Sequence, residues 1–145
     1  MDEQTIRLLQ ASFADVMAIR SQAAALFYER LFAIDPALKP LFHDADMRSQ
    51  EMKLMAALAL VVGKLRQLDE VIPALESLAV KHVAYGVEES HYATVGQALI
   101  ETLSLAFGER FTPELRNAWL AAYGAISGVM IAAAAKSQAA GIAAE

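Results

Sequence analysis

The chain has 145 residues and no cysteine. Disulfides, thiolate-held zinc, iron–sulfur clusters and thioether-linked cofactors are therefore excluded. Positive charge is also scarce, because 12 Lys and Arg stand against 17 Asp and Glu, for a net charge of −5. Nucleic-acid binding, which needs a clustered basic surface, is not expected. The start of the chain is acidic and then amphipathic rather than basic and then apolar, so we expect a cytoplasmic location.

Charge is missing from one long run as well. Residues 117–135 read NAWLAAYGAISGVMIAAAA, nineteen residues without a charged side chain, which reaches the length of a membrane span. The run is rich in alanine and glycine, is interrupted by polar side chains and has no flanking lysine or arginine cluster. We expect no membrane span here but a buried core helix, in which Gly124 and Gly128 allow a close helix crossing.

Strand patterns are nearly absent, and apolar residues instead recur at helical spacing. The chain is therefore predicted to be a single all-α domain, residues 1–145, of about seven helices. Caps, glycines and prolines place the helices at about 2–19, 21–34, 48–68, 73–86, 91–107 and from 113 past 135, with a short turn bracketed by Pro36 and Pro40.

Three polar side chains lie on the apolar faces of three different predicted helices. His82 belongs to the inward stripe that runs from Leu75 to Tyr85, Gln50 lies one turn before Leu54, and Tyr28 lies between two phenylalanines. Each alone has an ordinary interpretation, as a core histidine, a solvated amide or a core tyrosine. Together they indicate a pocket for a flat apolar cofactor with one axial nitrogen ligand and polar donors, for which haem is the obvious candidate.

Four stretches carry a resemblance to a known family. They read LFYERLFAIDPALKPLF (26–42), SQEMKLM (49–55), IPALESLAVKHVAYGVEESHYATVG (72–96) and NAWLAAYGAI (117–126). In their order and spacing the chain resembles the bacterial globins, namely the flavohaemoglobins and their single-domain relatives. The resemblance implies a globin fold around haem b.

The resemblance also implies roles for individual residues. His82 matches the proximal ligand of the haem iron, and Tyr28 and Gln50 match hydrogen-bond donors on the distal side. Phe42 matches the residue that packs on the haem face, and Leu54 matches its apolar neighbour.

Further residues are expected around the cofactor. Tyr92 matches a tyrosine near the proximal histidine, whereas His91 matches a surface position. The remaining expected contacts are Phe27 and Val87, with Lys81 and Lys53 as cations for the haem propionates.

The implied function is reversible binding of O₂, with NO and CO as further ligands. A phenol and an amide in a dry pocket would stabilise the negative charge that O₂ draws from ferrous iron, which slows its release. The first alternative is nitric oxide dioxygenation with a separate NAD(P)H-dependent reductase, because no reductase is expected within these residues. The second is a gas sensor with an internal sixth ligand. That ligand could be His43, Met52 or Met55, which otherwise look like corner and core residues, or it could be Tyr28 or Gln50.

One position departs from the family pattern. The family has a glutamate that bonds the proximal histidine, and by alignment Ala134 takes its place. A carboxylate behind a histidine strengthens electron donation to a metal, so we expect His82 to be a more neutral ligand. Zinc or nucleophile chemistry is not supported, since neither ligand spacing nor G-x-S-x-G is present. Both a monomer and a homodimer are compatible with the sequence.

Overall fold

The computed structural model describes residues 1–42 and 45–144, with side-chain environments through residue 139. Within those residues the chain forms six α-helices and three short 3₁₀ helices. The α-helices are α1 Glu3–Ala18, α2 Arg20–Ile34, α3 Met47–Gly63, α4 Ile72–Ala84, α5 Glu89–Phe107 and α6 Pro113–Ala144. The 3₁₀ helices are Pro36–Phe42, Leu65–Glu70 and Gly108–Arg110.

Capping residues and glycines mark several of the helix ends. Asp2 Oδ1 accepts a hydrogen bond from the Thr5 N–H at 2.8 Å, which begins α1. Thr112 Oγ1 accepts from the Leu115 N–H at 3.2 Å, which begins α6. Gly86 follows α4 with φ +92°, a conformation that favours glycine. These three boundaries confirm what the sequence predicts.

The third helix is shorter than expected from the sequence. It ends at Gly63, a residue type that destabilises helix interiors, rather than near residue 68. The Lys64 N–H then bonds to the Val61 carbonyl at 3.1 Å, which tightens the last turn. The chain continues as the 3₁₀ helix Leu65–Glu70, in which Gln67 is non-helical with φ −132° and ψ 51°.

Two polar links tie the core helices together. Trp119 Nε1–H on α6 donates to Ser12 Oγ on α1 at 3.0 Å, and Ser12 in turn donates to the Leu9 carbonyl at 3.1 Å. Arg30 on α2 and Glu101 on α5 form a partly buried ion pair, with Nε and Oε1 separated by 3.4 Å. Around these links α2 packs on α5, and α4 packs on α6. The helices α2 and α4 are therefore each fixed against a different helix, α5 and α6 respectively.

Helix α6 is a core helix on one face only. By length and composition its segment Pro113–Ala139 could cross a membrane, and 28% of its most apolar 18-residue window is buried. Gly124 and Gly128 are exposed, and a Cβ at either would meet nothing within 4 Å. The close approach is instead at Gly96 on α5, where a Cβ would lie 2.7 Å from Cε2 of Tyr123. The buried face of α6 comprises Leu115, Ala118, Trp119, Ala122, Met130 and Ala133.

Candidate functional site

One large cavity opens between five of the α-helices and the 3₁₀ helix Pro36–Phe42. Its volume is about 540 Å³, a size typical of small-molecule and cofactor sites. Most of the wall is aliphatic or aromatic. The polar side chains that border it are Tyr28, Gln50, His82, Tyr85, His91, Tyr92, Tyr123 and Ser127.

His82 lies on α4 with its ring orientation set by its own helix. Its Nδ1 lies 2.8 Å from the Leu78 carbonyl oxygen, one turn earlier. A carbonyl can only accept, so Nδ1 carries the hydrogen and Nε2 keeps a free lone pair. Burial lowers the pKa of His82, an effect that the Leu78 hydrogen bond opposes. The result is a neutral imidazole at the cavity wall, which is the form that binds metals.

Tyr28 on α2 is buried, with 9% of its surface exposed. Its ring meets Phe27 and Phe42 edge to face, with centroids 5.1 and 5.7 Å apart. Its hydroxyl donates to the backbone carbonyl of Gln50 at 3.4 Å, a long and weak hydrogen bond. Burial, helped by the charge of Glu51, raises the pKa of Tyr28 to about 12, so the hydroxyl keeps its proton at neutral pH. Gln50 itself is half-buried and borders the same cavity.

A pair of tyrosines forms the wall between α5 and α6. The Tyr123 hydroxyl donates to the Tyr92 backbone carbonyl at 2.6 Å, and the glycine at position 96 makes room for the Tyr123 ring. Burial raises the pKa of both phenols, which stay protonated donors. The hydroxyl of Tyr92 is buried, and it forms no hydrogen bond with any of the described residues. A buried hydroxyl without a partner is costly, so this wall suits a ligand with a polar atom.

Most of the residues singled out from the sequence border this one cavity. Besides the polar ones above, the wall includes Phe27, Phe42, Leu54 and Val87. Lys81 and Lys53, expected as propionate partners, are exposed and do not border it. Tyr85 was expected to point inward with His82, but it is 61% exposed because it lies at the end of α4, at the rim of the cavity.

Of the residues considered as internal sixth ligands, Tyr28 and Gln50 border the cavity, whereas neither methionine does. Met52 is 71% exposed, and Met55 is buried in the core, where it borders a smaller apolar cavity of about 20 Å³. His43 lies outside the described residues. Among the residues that the structure describes, no three His, Cys, Asp or Glu side chains come together as a metal site.

Two cavity residues had no role in the sequence interpretation. Tyr123 lies in a stretch that carries the family resemblance, and its spacing to Ile126, Ser127 and Met130 is the signal of one helix face. His91, expected at the surface, is half-buried and borders the cavity. It is the third residue of α5, which starts at Glu89. Its side chain turns back towards the helix start and caps it, which keeps the ring beside the cavity.

The chain matches the globin family model over residues 25–130. It belongs to the globin family. Curated relatives include the flavohemoproteins of Bordetella parapertussis, 34% identical over 129 residues, and of Bacillus subtilis, 26% identical over 133 residues. These alignments cover 87% and 90% of this globin but 32% and 33% of the relatives, so it spans about a third of their length.

Solved bacterial globins have the same fold. An engineered carbene transferase built on a Rhodothermus marinus protein, provisionally assigned as a nitric oxide dioxygenase, superposes with a TM-score of 0.86 at 25% identity, and the match covers 100% of this chain and 99% of that one. A globin from Campylobacter jejuni superposes with a TM-score of 0.82 at 23% identity, over 93% and 97% of the two chains. The predicted all-α globin fold is confirmed, with six α-helices and three 3₁₀ helices in the described residues rather than about seven helices.

Family membership implies a haem cofactor, and the cavity fits one. It is large and mostly apolar, as a porphyrin requires, and one neutral histidine presents a free ring nitrogen at its wall. Buried phenols border the same space, and one of them, that of Tyr92, has no hydrogen-bond partner among the residues that the structure describes. The described residues thus include one histidine nitrogen that could bind a haem iron and several hydrogen-bond donors.

Proposed function

We propose that this globin binds O₂ reversibly through haem b, with His82 as the proximal ligand and Tyr28 and Gln50 as distal donors. The observation that carries the proposal is that three helices bring a neutral histidine, a protonated phenol and an amide to one apolar cavity. Haem, when bound, would supply a ferrous iron that takes the histidine nitrogen and one diatomic gas, whether O₂, CO or NO.

The chain's part in this binding is to hold and shield the gas. Tyr28 keeps its proton, and its weak bond to the Gln50 carbonyl lets the hydroxyl turn towards an acceptor in the cavity at little cost. Phe27, Phe42 and Leu54 line the same space and make that part of the wall apolar. A hydrogen bond is stronger in such surroundings than in water, so we expect O₂ to be released slowly.

The surroundings of His82 favour reversible gas binding over oxidation reactions at the haem. His82 donates its Nδ1 hydrogen to a neutral carbonyl, that of Leu78, and not to a carboxylate. Ala134 lies one turn beyond Met130, which borders the cavity, and its methyl side chain offers no acceptor. A histidine backed by a neutral acceptor donates less electron density to a metal, which suits reversible binding.

The test is an absorption spectrum of the protein reconstituted with haemin, as ferric, reduced, O₂-exposed and CO-exposed forms. We expect one haemin per chain, a five-coordinate reduced form, and stable O₂ and CO complexes. His82→Ala should lose the five-coordinate reduced spectrum and regain it with added imidazole. A wild-type protein that takes up no haemin, or a reduced form that is six-coordinate without gas, contradicts the proposal.

Nitric oxide dioxygenation is the second candidate, favoured by the similarity to flavohemoproteins and to the Rhodothermus marinus protein. In it, NO, O₂ and one electron combine to nitrate, and a separate NAD(P)H-dependent reductase would supply the electron. Catalytic NO consumption with nitrate formed in equal amount, in the presence of a supplied flavin reductase and NADH, would support it. A single stoichiometric burst without turnover would reject it. The cytoplasmic location and the monomeric or homodimeric state expected from the sequence stay predictions.

A further inference from the structure

A hydrogen bond at the start of helix α5 fixes the tautomer of the neutral His91 ring. Its Nδ1 accepts a hydrogen bond from the Glu88 N–H at 2.9 Å, while the Glu88 side chain accepts from the His91 N–H. This reciprocal arrangement is a capping box. Because Nδ1 is an acceptor, the neutral ring must carry its hydrogen on Nε2. The ring borders the cavity, so the structure offers a hydrogen-bond donor there that capping does not use.

The cavity is short of positive charge. Among the described residues that line it, none is a lysine or arginine, and the histidines are His82 and His91. Lys81 and Lys53 are exposed and lie outside the wall. Any anionic group that enters the cavity therefore depends on neutral donors or on one of the two histidines.

The α4–α5 junction is the open edge of the cavity. Tyr85 is 61% exposed there, Val87 and His91 are half-buried, and all three border the cavity. His82 lies one turn before Tyr85 on the inner side. Haem b has one edge with two carboxylate side chains, which cannot be buried without partners. That edge must therefore lie where the cavity meets solvent.

We infer that His91 Nε2–H binds a haem propionate at the α4–α5 edge, an assignment that rests on the proposed function. His91 is thus a cofactor-binding residue, and the capping box holds its ring in place. The cap holds the imidazole at the cavity, so little side-chain entropy is lost when the carboxylate docks. A hydrogen bond to a charged acceptor is among the stronger ones in proteins.

The test is the rate at which haemin leaves the ferric protein for excess apomyoglobin, measured with haemin and with its dimethyl ester. His91→Glu keeps a cap acceptor for the Glu88 N–H but sets a carboxylate against the propionate. We expect it to lose haemin about tenfold faster than wild type or more. With the dimethyl ester the two proteins should differ by less than about twofold, because the charge that distinguishes them has been removed.

Two further variants separate the propionate contact from helix capping. His91→Gln keeps both a cap acceptor and an amide donor, and should retain haemin nearly as wild type does. Glu88→Ala weakens the cap but leaves the imidazole, and should also retain haemin. A His91→Glu rate within twofold of wild type, or an equal acceleration with the ester, overturns the inference while the proposed function stands. A wild-type protein that does not bind haemin overturns both.

Discussion

Replacing Tyr28 by phenylalanine isolates the contribution of one hydroxyl to gas binding. The ring packing should survive, because the edge contacts to Phe27 and Phe42 involve the ring and not the oxygen. In the free protein the hydroxyl has only a 3.4 Å bond to the Gln50 carbonyl, so little is lost there. A hydrogen bond to an acceptor that carries charge contributes about 1.5–3 kcal/mol. The O₂ dissociation rate should therefore rise about 10- to 150-fold.

The assay is stopped-flow displacement of O₂ by CO, with CO dissociation measured on the same variants. CO accepts little charge, so we expect its rate to change less than about threefold. Since the pKa of Tyr28 is about 12, the wild-type O₂ rate should also be flat between about pH 7 and 10, where the phenol stays protonated. An O₂ dissociation rate within twofold of wild type in Tyr28→Phe would refute the reasoning, as would equal changes for O₂ and CO.

Two other predictions concern the α5–α6 wall. Gly96→Ala places a Cβ 2.7 Å from the Tyr123 ring. We expect the free energy of unfolding of the apoprotein, measured in urea, to fall by about 1–3 kcal/mol. Adding Tyr123→Leu should restore part of that loss if the clash is the cause, and an unchanged urea midpoint in Gly96→Ala would contradict the prediction. Ala134→Glu adds a carboxylate at the position where the family has a glutamate, one turn beyond Met130, which borders the cavity. We expect a higher Fe–His82 stretching frequency by resonance Raman, with Ala134→Gln as the neutral control, and equal frequencies in all three proteins would reject the expectation.

The starts of α1 and α6 and the central cavity residues could be predicted from the sequence, because each depends on local chemistry. The Asp2 cap and the inward direction of His82 follow from side-chain type and helical spacing alone. The rim could not be predicted in this way. Tyr85 and His91 flank a junction between two helices, where the direction of each side chain depends on how the helices end and begin. Helical periodicity predicts that Tyr85 points inward, although it is exposed, and it does not indicate that the His91 side chain caps its own helix.

The end of α3 was missed for a related reason. Apolar residues continue past Gly63 at helical spacing, and Leu65 is indeed buried, but the backbone that carries it is 3₁₀. Burial periodicity reports which side chains face the core, whereas the hydrogen-bond pattern depends on local backbone stability. A sequence pattern can therefore identify core residues correctly and still misplace the end of a helix.

The bond between His82 and the Leu78 carbonyl has a consequence for the order of assembly. Both groups belong to α4, so the ring is oriented as soon as that helix folds. The rotamer and the tautomer that the proposed coordination of haem iron would need are therefore set before any cofactor binds, and their entropic cost is met during folding rather than at binding. The apoprotein is in this respect preorganised for its cofactor, because folding of α4 already sets the orientation of the His82 ring.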